Sequence, residues 1–131
     1  MCQVFISANP ESYESRTRSV RLHGVVTSIR LENLHWEVLE EIGARDGMSV
    51  TQLIEKLYDE LVQARGAVGN FASFLRVSAL RYMALQAHQR IPADLDVPIR
   101  SLDASEVLKD LAPSMSWPAR RVTLDDAARP A

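Results

Sequence analysis

The chain has 131 residues, 47% of them hydrophobic and 24% charged. That suits one domain, or one small domain with an extension, and excludes disordered, collagen-like and disulfide-stapled classes. A single cysteine, Cys2, rules out an internal disulfide and fits a reducing compartment. No run of about 18 apolar residues and no basic-then-apolar leader is present, so the expectation is a cytoplasmic protein without a membrane span.

The net charge of −2 argues against a nucleic-acid partner, but the average conceals a pattern. Residues 1–31 hold Arg16, Arg18, Arg21 and Arg30 against Glu11 and Glu14, a balance of +2, with no acid between Arg16 and Leu31. Residues 32–62 carry a balance of −6. Residues 63–90, with Arg65, Arg76, Arg81 and Arg90 and no acid, carry +4. An acidic chain patterned in this way can still present a basic surface.

In chain order, residues 1–19 contain SANPESYESRTRS, where Asn9, Pro10 and the serines predict an irregular arm. Val4, Phe5 and Ile6 fit a short strand at most. Residues 20–31, VRLHGVVTSIRL, read as extended because Val25, Val26, Thr27 and Ile29 are β-branched. Thr27, Ile29 and Leu31 fall on one face; Val26, Ser28 and Arg30 fall on the other. Gly24 marks a bulge or the start of the strand.

Residues 33–45 predict a helix capped by Asn33, with Leu34, Val38, Leu39 and Ile42 on its apolar side and Gly47 as the left-handed residue past its end. Residues 49–65 predict the clearest helix: Ser49 and Gln52 have capping-box spacing, and Val50, Leu53, Ile54, Leu57, Tyr58 and Leu61 follow the helical template. A third helix spans 71–90 behind Asn70, and a short one capped by Asp103 spans 104–111. Residues 113–131 are expected to form a flexible tail. No internal repeat is seen.

One strand alone leaves its backbone groups unpaired, and even two-stranded ribbons are marginal in isolation. The simplest partner is the same strand of a second copy, antiparallel across a two-fold axis. The two following helices then cover one face. Thr27, Ile29, Leu31, Leu34, Val38, Leu39, Ile42, Met48, Val50, Leu53, Ile54 and Leu57 would share one core in an obligate homodimer. The other face stays exposed with Val26, Ser28 and Arg30. A two-stranded ribbon fits the DNA major groove, where Arg takes guanine bidentately, Ser meets several bases and Val meets the thymine methyl. The N–H groups of Met48, Ser49 and Val50, at the start of the second helix, can hold a phosphate.

Residues 27–57, TSIRLENLHWEVLEEIGARDGMSVTQLIEKL, resemble the ribbon-helix-helix DNA-binding family of the Arc and MetJ type. The longer run SVRLHGVVTSIRLENLHWEVLEEI resembles a largely uncharacterised bacterial subgroup of it. The resemblance implies a mainly α fold, in which one N-terminal strand pairs across an intertwined homodimer and a C-terminal helical extension follows. It implies double-stranded DNA as partner, Val26, Ser28 and Arg30 as base-reading residues, and Met48, Ser49 and Val50 as backbone contacts. Many members carry a proline after the strand; this chain has Glu32-Asn33, an acid beside the groove. Some members are antitoxins whose C-terminal part wraps a toxin, and others carry ligand-sensing domains; residues 66–112 are short and helical by comparison.

Blander readings stand beside these. The plain alternative for Arg30 is a solvated charge on an exposed strand, and for Ser49 a helix cap alone. Arg16, Arg18 and Arg21 form either an arm on the DNA backbone or lone surface arginines. His23, His35 and His88 lack zinc-ligand spacing, so no metal is expected. Trp36 fits dimer core, and Trp117 lies in the tail. No glycine-rich phosphate loop, nucleophile motif or paired acids occur, which predicts no enzyme and no cofactor. The third helix is too apolar to stay in water: it packs on the dimer core, exchanges between copies, joins dimers into a tetramer or receives a partner protein at residues 66–112, or else the acid-free basic stretch 63–90 extends the DNA footprint. The resulting expectation is a dimeric transcriptional regulator, a repressor, with domain 20–65 on DNA. The alternative is an antitoxin or adaptor whose extension binds protein.

Overall fold

The computed structural model describes residues 2–111, so the tail expected at 113–131, Trp117 included, lies outside the described residues. The order is helix α1 (Cys2–Ile6), a 3-10 turn (Pro10–Tyr13), strands β1 (Ser15–Leu22) and β2 (Val25–Glu32), and helices α2 (Asn33–Arg45), α3 (Val50–Arg65) and α4 (Phe71–Ala87). A second 3-10 turn (Ile99–Ser101) and the short helix α5 (Ala104–Val107) follow. The molecule is mainly α: a ribbon laid on helices, with a C-terminal helical extension. Val4, Phe5 and Ile6 lie in α1 and not in a strand.

The ribbon closes within one chain. β1 and β2 pair antiparallel, with Leu22 opposite Val25 and Ser15 opposite Glu32. This corrects the expectation that β2 pairs with the same strand of a second copy. The cause is the two-residue link His23-Gly24. Both residues have positive φ, 49° and 79°, which is what a type I′ hairpin turn requires and what suits the twist of the flanking strands. Glycine enters that region at no steric cost, and histidine is enriched there among other residues. Gly24 is therefore the end of a turn and not a bulge. Residues 15–19, placed by the sequence in an irregular arm, belong to a strand.

The strands sort their side chains by parity. Val20, Leu22, Ile29 and Leu31 are buried against the helices, beneath Trp36 and Leu39 of α2, Val50, Leu53 and Ile54 of α3, and Leu75 and Ala79 of α4. Burying each such aliphatic chain contributes about 1.5–3 kcal/mol. Two strands and three helices of one chain thus share this core. Of the core residues expected from sequence, Leu34 is the exception at 52% exposed. Trp36 is fully buried, its indole N–H donating to the Arg16 carbonyl at 2.9 Å. Glu32, not Asn33, is the cap of α2; the Asn33 N–H instead donates to the Glu14 carbonyl at 2.8 Å.

The remaining ends follow local chemistry. Gly47 takes φ 70° past α2, and Ser49 and Gln52 form the full capping box of α3. Asn70 caps α4 through the Ser73 N–H, and Asp103 caps α5 through the Ser105 N–H. α4 stops three residues before the expected end, with Gln89 at φ 60°. Its inner stripe is Leu75, Ala79, Tyr82 and Leu85, while Val77, Leu80 and Met83 stay exposed. The rest of the extension packs a second, smaller core of Tyr82, Leu85 and Ile91 against Val38 and Ile42.

Candidate nucleic-acid interface

The outer face of the ribbon is built by the register. Thr17, Ser19 and Arg21 of β1 stand opposite Arg30, Ser28 and Val26 of β2. All six side chains are exposed, whereas their chain neighbours Val20, Leu22, Ile29 and Leu31 are buried. Val26, Ser28 and Arg30, expected on one face from β2 alone, do share it. Thr17 and Ser19 were missed, because their facing depends on a hairpin register that the arm reading did not contain.

The carbonyl of Arg30 accepts from Arg76 Nη2 at 3.2 Å, so it points away from β1 toward α4. The same guanidinium donates through Nε to Glu32 Oε1 at 2.8 Å, and His35 Nδ1 lies 2.9 Å from that oxygen. The Arg76 hydrogen bond, aided by one from its own backbone, holds the Glu32 carboxyl below the ordinary glutamate range. The acid at the end of β2 is thereby ion-paired with a residue of α4. Arg21 and Arg30 are the charges that dominate the outer face.

The three arginines grouped as an arm separate. Arg18 donates to Glu40 at 2.6 Å and lies over the Trp36 ring, 5.0 Å from its centroid. Arg16 is 3.8 Å from the same carboxylate. Both have the parity of the buried residues and are tied to α2 at the ribbon's flank. Arg21 alone lies on the outer face, with Nη1 donating to the Gly24 carbonyl at 3.1 Å. They stand on a strand and not on a flexible arm.

The start of α3 is more occupied than expected. The Met48 N–H donates to the Gly43 carbonyl at 2.8 Å, and the Ser49 N–H to Gln52 Oε1 at 2.9 Å. Val50 has a buried side chain, and its N–H has no such partner among the described residues. The Ser49 and Thr51 hydroxyls lie 3.1 Å apart at the exposed helix end.

The hairpin tip is braced. His23 Nε2 lies 2.9 Å from Asp59 Oδ1, and its ring meets Tyr58 edge-on at 5.3 Å. Tyr58 in turn meets Phe71 at 5.3 Å, so an aromatic row ties tip, α3 and α4 together. Such bracing holds the outer face in one geometry, which a reading surface needs. Among the described residues no cluster of His, Cys, Asp or Glu has metal-binding geometry, and no helix is long and apolar enough to cross a membrane.

The fold is an exposed two-stranded ribbon carried on a helical base. A sequence model of the ribbon-helix-helix domain matches residues 15–83, and the chain belongs to that family. The family comprises in general DNA-binding transcription regulators or antitoxins, which form dimers and are typically not enzymes. The solved structure of an uncharacterized protein from Bordetella pertussis Tohama I is similar throughout. It shares 63% identity over 94% of this chain and 98% of that one, with a TM-score of 0.86. No curated protein matches the chain.

Proposed function

We propose that this protein is a sequence-specific DNA-binding transcriptional regulator, acting as a repressor in the cytoplasm, and that its ribbon enters the major groove. The observation that carries the reading is the outer face itself: exposed alternate residues with two arginines, and the neighbouring Glu32 neutralised by Arg76. Val26, Ser28 and Arg30 contact bases. Arg30, whose guanidinium has no partner among the described residues, takes a guanine. The Val50 N–H with the Ser49 and Thr51 hydroxyls contacts phosphate, and Arg16 and Arg18 flank the backbone. Two copies associate, and the exposed Val77, Leu80 and Met83 of α4 offer them an apolar surface.

Selection from a random DNA library tests this reading, with the wild type compared to Arg30→Ala across a salt series. The expected result is an enriched site, a steep salt dependence, and loss of preference at one base pair in the variant. Arg30→Ala should melt within about 0.5 kcal/mol of wild type, as exposed substitutions do. Enrichment of no sequence, with weak binding gone by physiological salt, overturns it.

The same exposed stripe of α4 favours a second reading, in which the extension at 66–112 receives a partner protein, as in an antitoxin or adaptor. Val77→Glu separates the two. Loss of a co-purifying protein with DNA binding intact supports the second reading; unchanged composition rejects it.

A further inference from the structure

A cleft of about 500 Å³ lies between the hairpin, α3 and the loop that leads into α4. Among the described residues β2 pairs with β1 alone, so its other edge is open along this cleft. The Arg30 carbonyl points away from β1, toward Arg76. Backbone groups alternate in direction along an antiparallel pair, so the N–H and carbonyl of Ser28 also point away from β1, and Ser28 lines the cleft. The buried Leu22 and Ile29 give it an apolar side. Tyr58 of α3 and Phe71 of α4 line it too, their rings edge-on at 86° with centroids 5.3 Å apart. Two perpendicular rings offer a face and an edge together, the two surfaces against which a third ring packs well.

The polar groups of the cleft are few, and they favour one sign of charge. Arg30 lines it, and its guanidinium has no partner among the described residues. Phe71 and Ala72 open the 17-residue helix α4, where N–H groups have no acceptor within the helix. The Asn70 side chain caps the Ser73 N–H and leaves those two open. No acid is among the described lining residues, and His23 at the hairpin end is paired with Asp59. Aromatic and apolar walls with a few convergent polar groups, in a volume of about 300–1,000 Å³, are the make-up of a small-molecule site. The free guanidinium selects an anion, and the ring corner selects an aromatic body.

We propose that this cleft binds a small aromatic carboxylate, its ring against Tyr58 and Phe71 and its carboxylate on the Arg30 guanidinium, with the open N–H groups of α4 adding positive potential. Arg30 is also the side chain assigned above to guanine. A carboxylate takes the guanidinium fork bidentately, as guanine does, so ligand and DNA compete for one group and an occupied cleft releases DNA. The competition rests on the DNA reading of the ribbon; the cleft does not.

The test uses the full chain, isotopically labelled for amide spectra, with phenylacetate, its neutral counterpart phenylacetamide, and acetate as probes. Phenylacetate is expected to shift the Ser28, Phe71 and Ala72 amide signals saturably, with a dissociation constant on the order of 1 mM for so small a ligand. Phenylacetamide lacks the charge and should bind about 10-fold more weakly. Acetate lacks the ring and should not saturate by about 10 mM. Arg30→Gln should weaken phenylacetate about 10-fold. Val68→Asp sets a like charge in the cleft from the loop and should weaken phenylacetate far more than phenylacetamide, while amide signals away from the cleft stay in place and show the fold intact. With the selected duplex present, about 10 mM phenylacetate should lower DNA affinity about 10-fold, by the mass action of a competitor at ten times its dissociation constant.

No saturable shift by about 10 mM phenylacetate, or equal binding of phenylacetamide, overturns the site. Shifts of the same amides that follow protein concentration and not the probe also overturn it, and assign the cleft to a second copy. Saturable binding with unchanged DNA affinity overturns the competition and leaves the DNA reading standing. Failure of the wild type to select any sequence overturns the DNA reading and the competition together, and the probe titration still decides the cleft.

Discussion

Arginine serves opposite ends in two regions of the molecule. Where the extension meets α2, Arg45 is 5% exposed. Its Nε and Nη groups donate to the carbonyls of Pro92, Asp94 and Val97 and to the Tyr82 hydroxyl, at 2.8–3.2 Å. Tyr82 passes its own proton toward Glu41 at 2.7 Å. Burial pushes the Tyr82 phenol up, and the Glu41 carboxylate adds to that effect against Arg45. Arg90 and Arg100 repeat the device on the carbonyls of Val107, Lys109 and Asp46. On the outer ribbon face, by contrast, the exposed Arg30 guanidinium has no partner among the described residues. Of the basic stretch at 63–90, Arg76 and Arg90 give donors to the fold, on Glu32 and on the carbonyls of the extension.

The largest expected effect breaks the junction. Arg45→Met keeps the stem but leaves several carbonyls and the Tyr82–Glu41 pair without their shared donor. Buried acceptors left unpaired each cost about 1–3 kcal/mol, more beside a charge. Allowing for water entering the loop, a loss of roughly 3 kcal/mol in urea unfolding is expected. Arg45→Lys should recover little, since one ammonium cannot reproduce the fork. A change below about 0.5 kcal/mol, the range of ordinary surface sites, would place Arg45 with Arg30 and erase the contrast.

The next effect probes how the ribbon is made. At Gly24 an added Cβ meets nothing within 4 Å, so Gly24→Ala adds no clash with neighbours and its cost is conformational alone. A left-handed alanine costs about 1–2 kcal/mol, and that loss is expected in thermal melts at every protein concentration. If the ribbon instead formed between copies, the turn would not be needed. The substitution would then be near neutral, and melting of the ribbon would depend on concentration.

These two places also mark what the sequence left hidden. The alternation of VVTSIRL and the capping box of α3 are local patterns, and both are legible. β1 is not, because SRTRSVRL buries only Val20 and Leu22 and otherwise reads as a polar arm. His-Gly is a weaker turn signal than Asn-Gly, so the two apolar runs merged into one strand and Thr17 and Ser19 lost their place on the face. Arg45 sits at a helix end, where a basic residue ordinarily answers the helix dipole. Its real partners lie 37–52 residues away, beyond any periodic pattern.

The smallest effect tests whether Glu32 belongs to the structural set or to the reading face. Its carboxylate is paired with Arg76, and the side chains are 29% and 36% exposed. At such exposure the pair is worth no more than about 1 kcal/mol. Because the folded carboxyl titrates below its unfolded counterpart, its contribution is present above the unfolded pKa and lost as pH falls through the folded one. Glu32→Gln should therefore melt slightly below wild type at neutral pH, and the gap should close in acid below the ordinary glutamate range. DNA affinity near neutral pH should rise modestly, since removing the carboxylate leaves the Arg76 guanidinium unpaired and the site one charge more positive. A large rise in affinity would mean instead that Glu32 opposes the phosphates, and that the Arg76 pair does not draw it off the ribbon face.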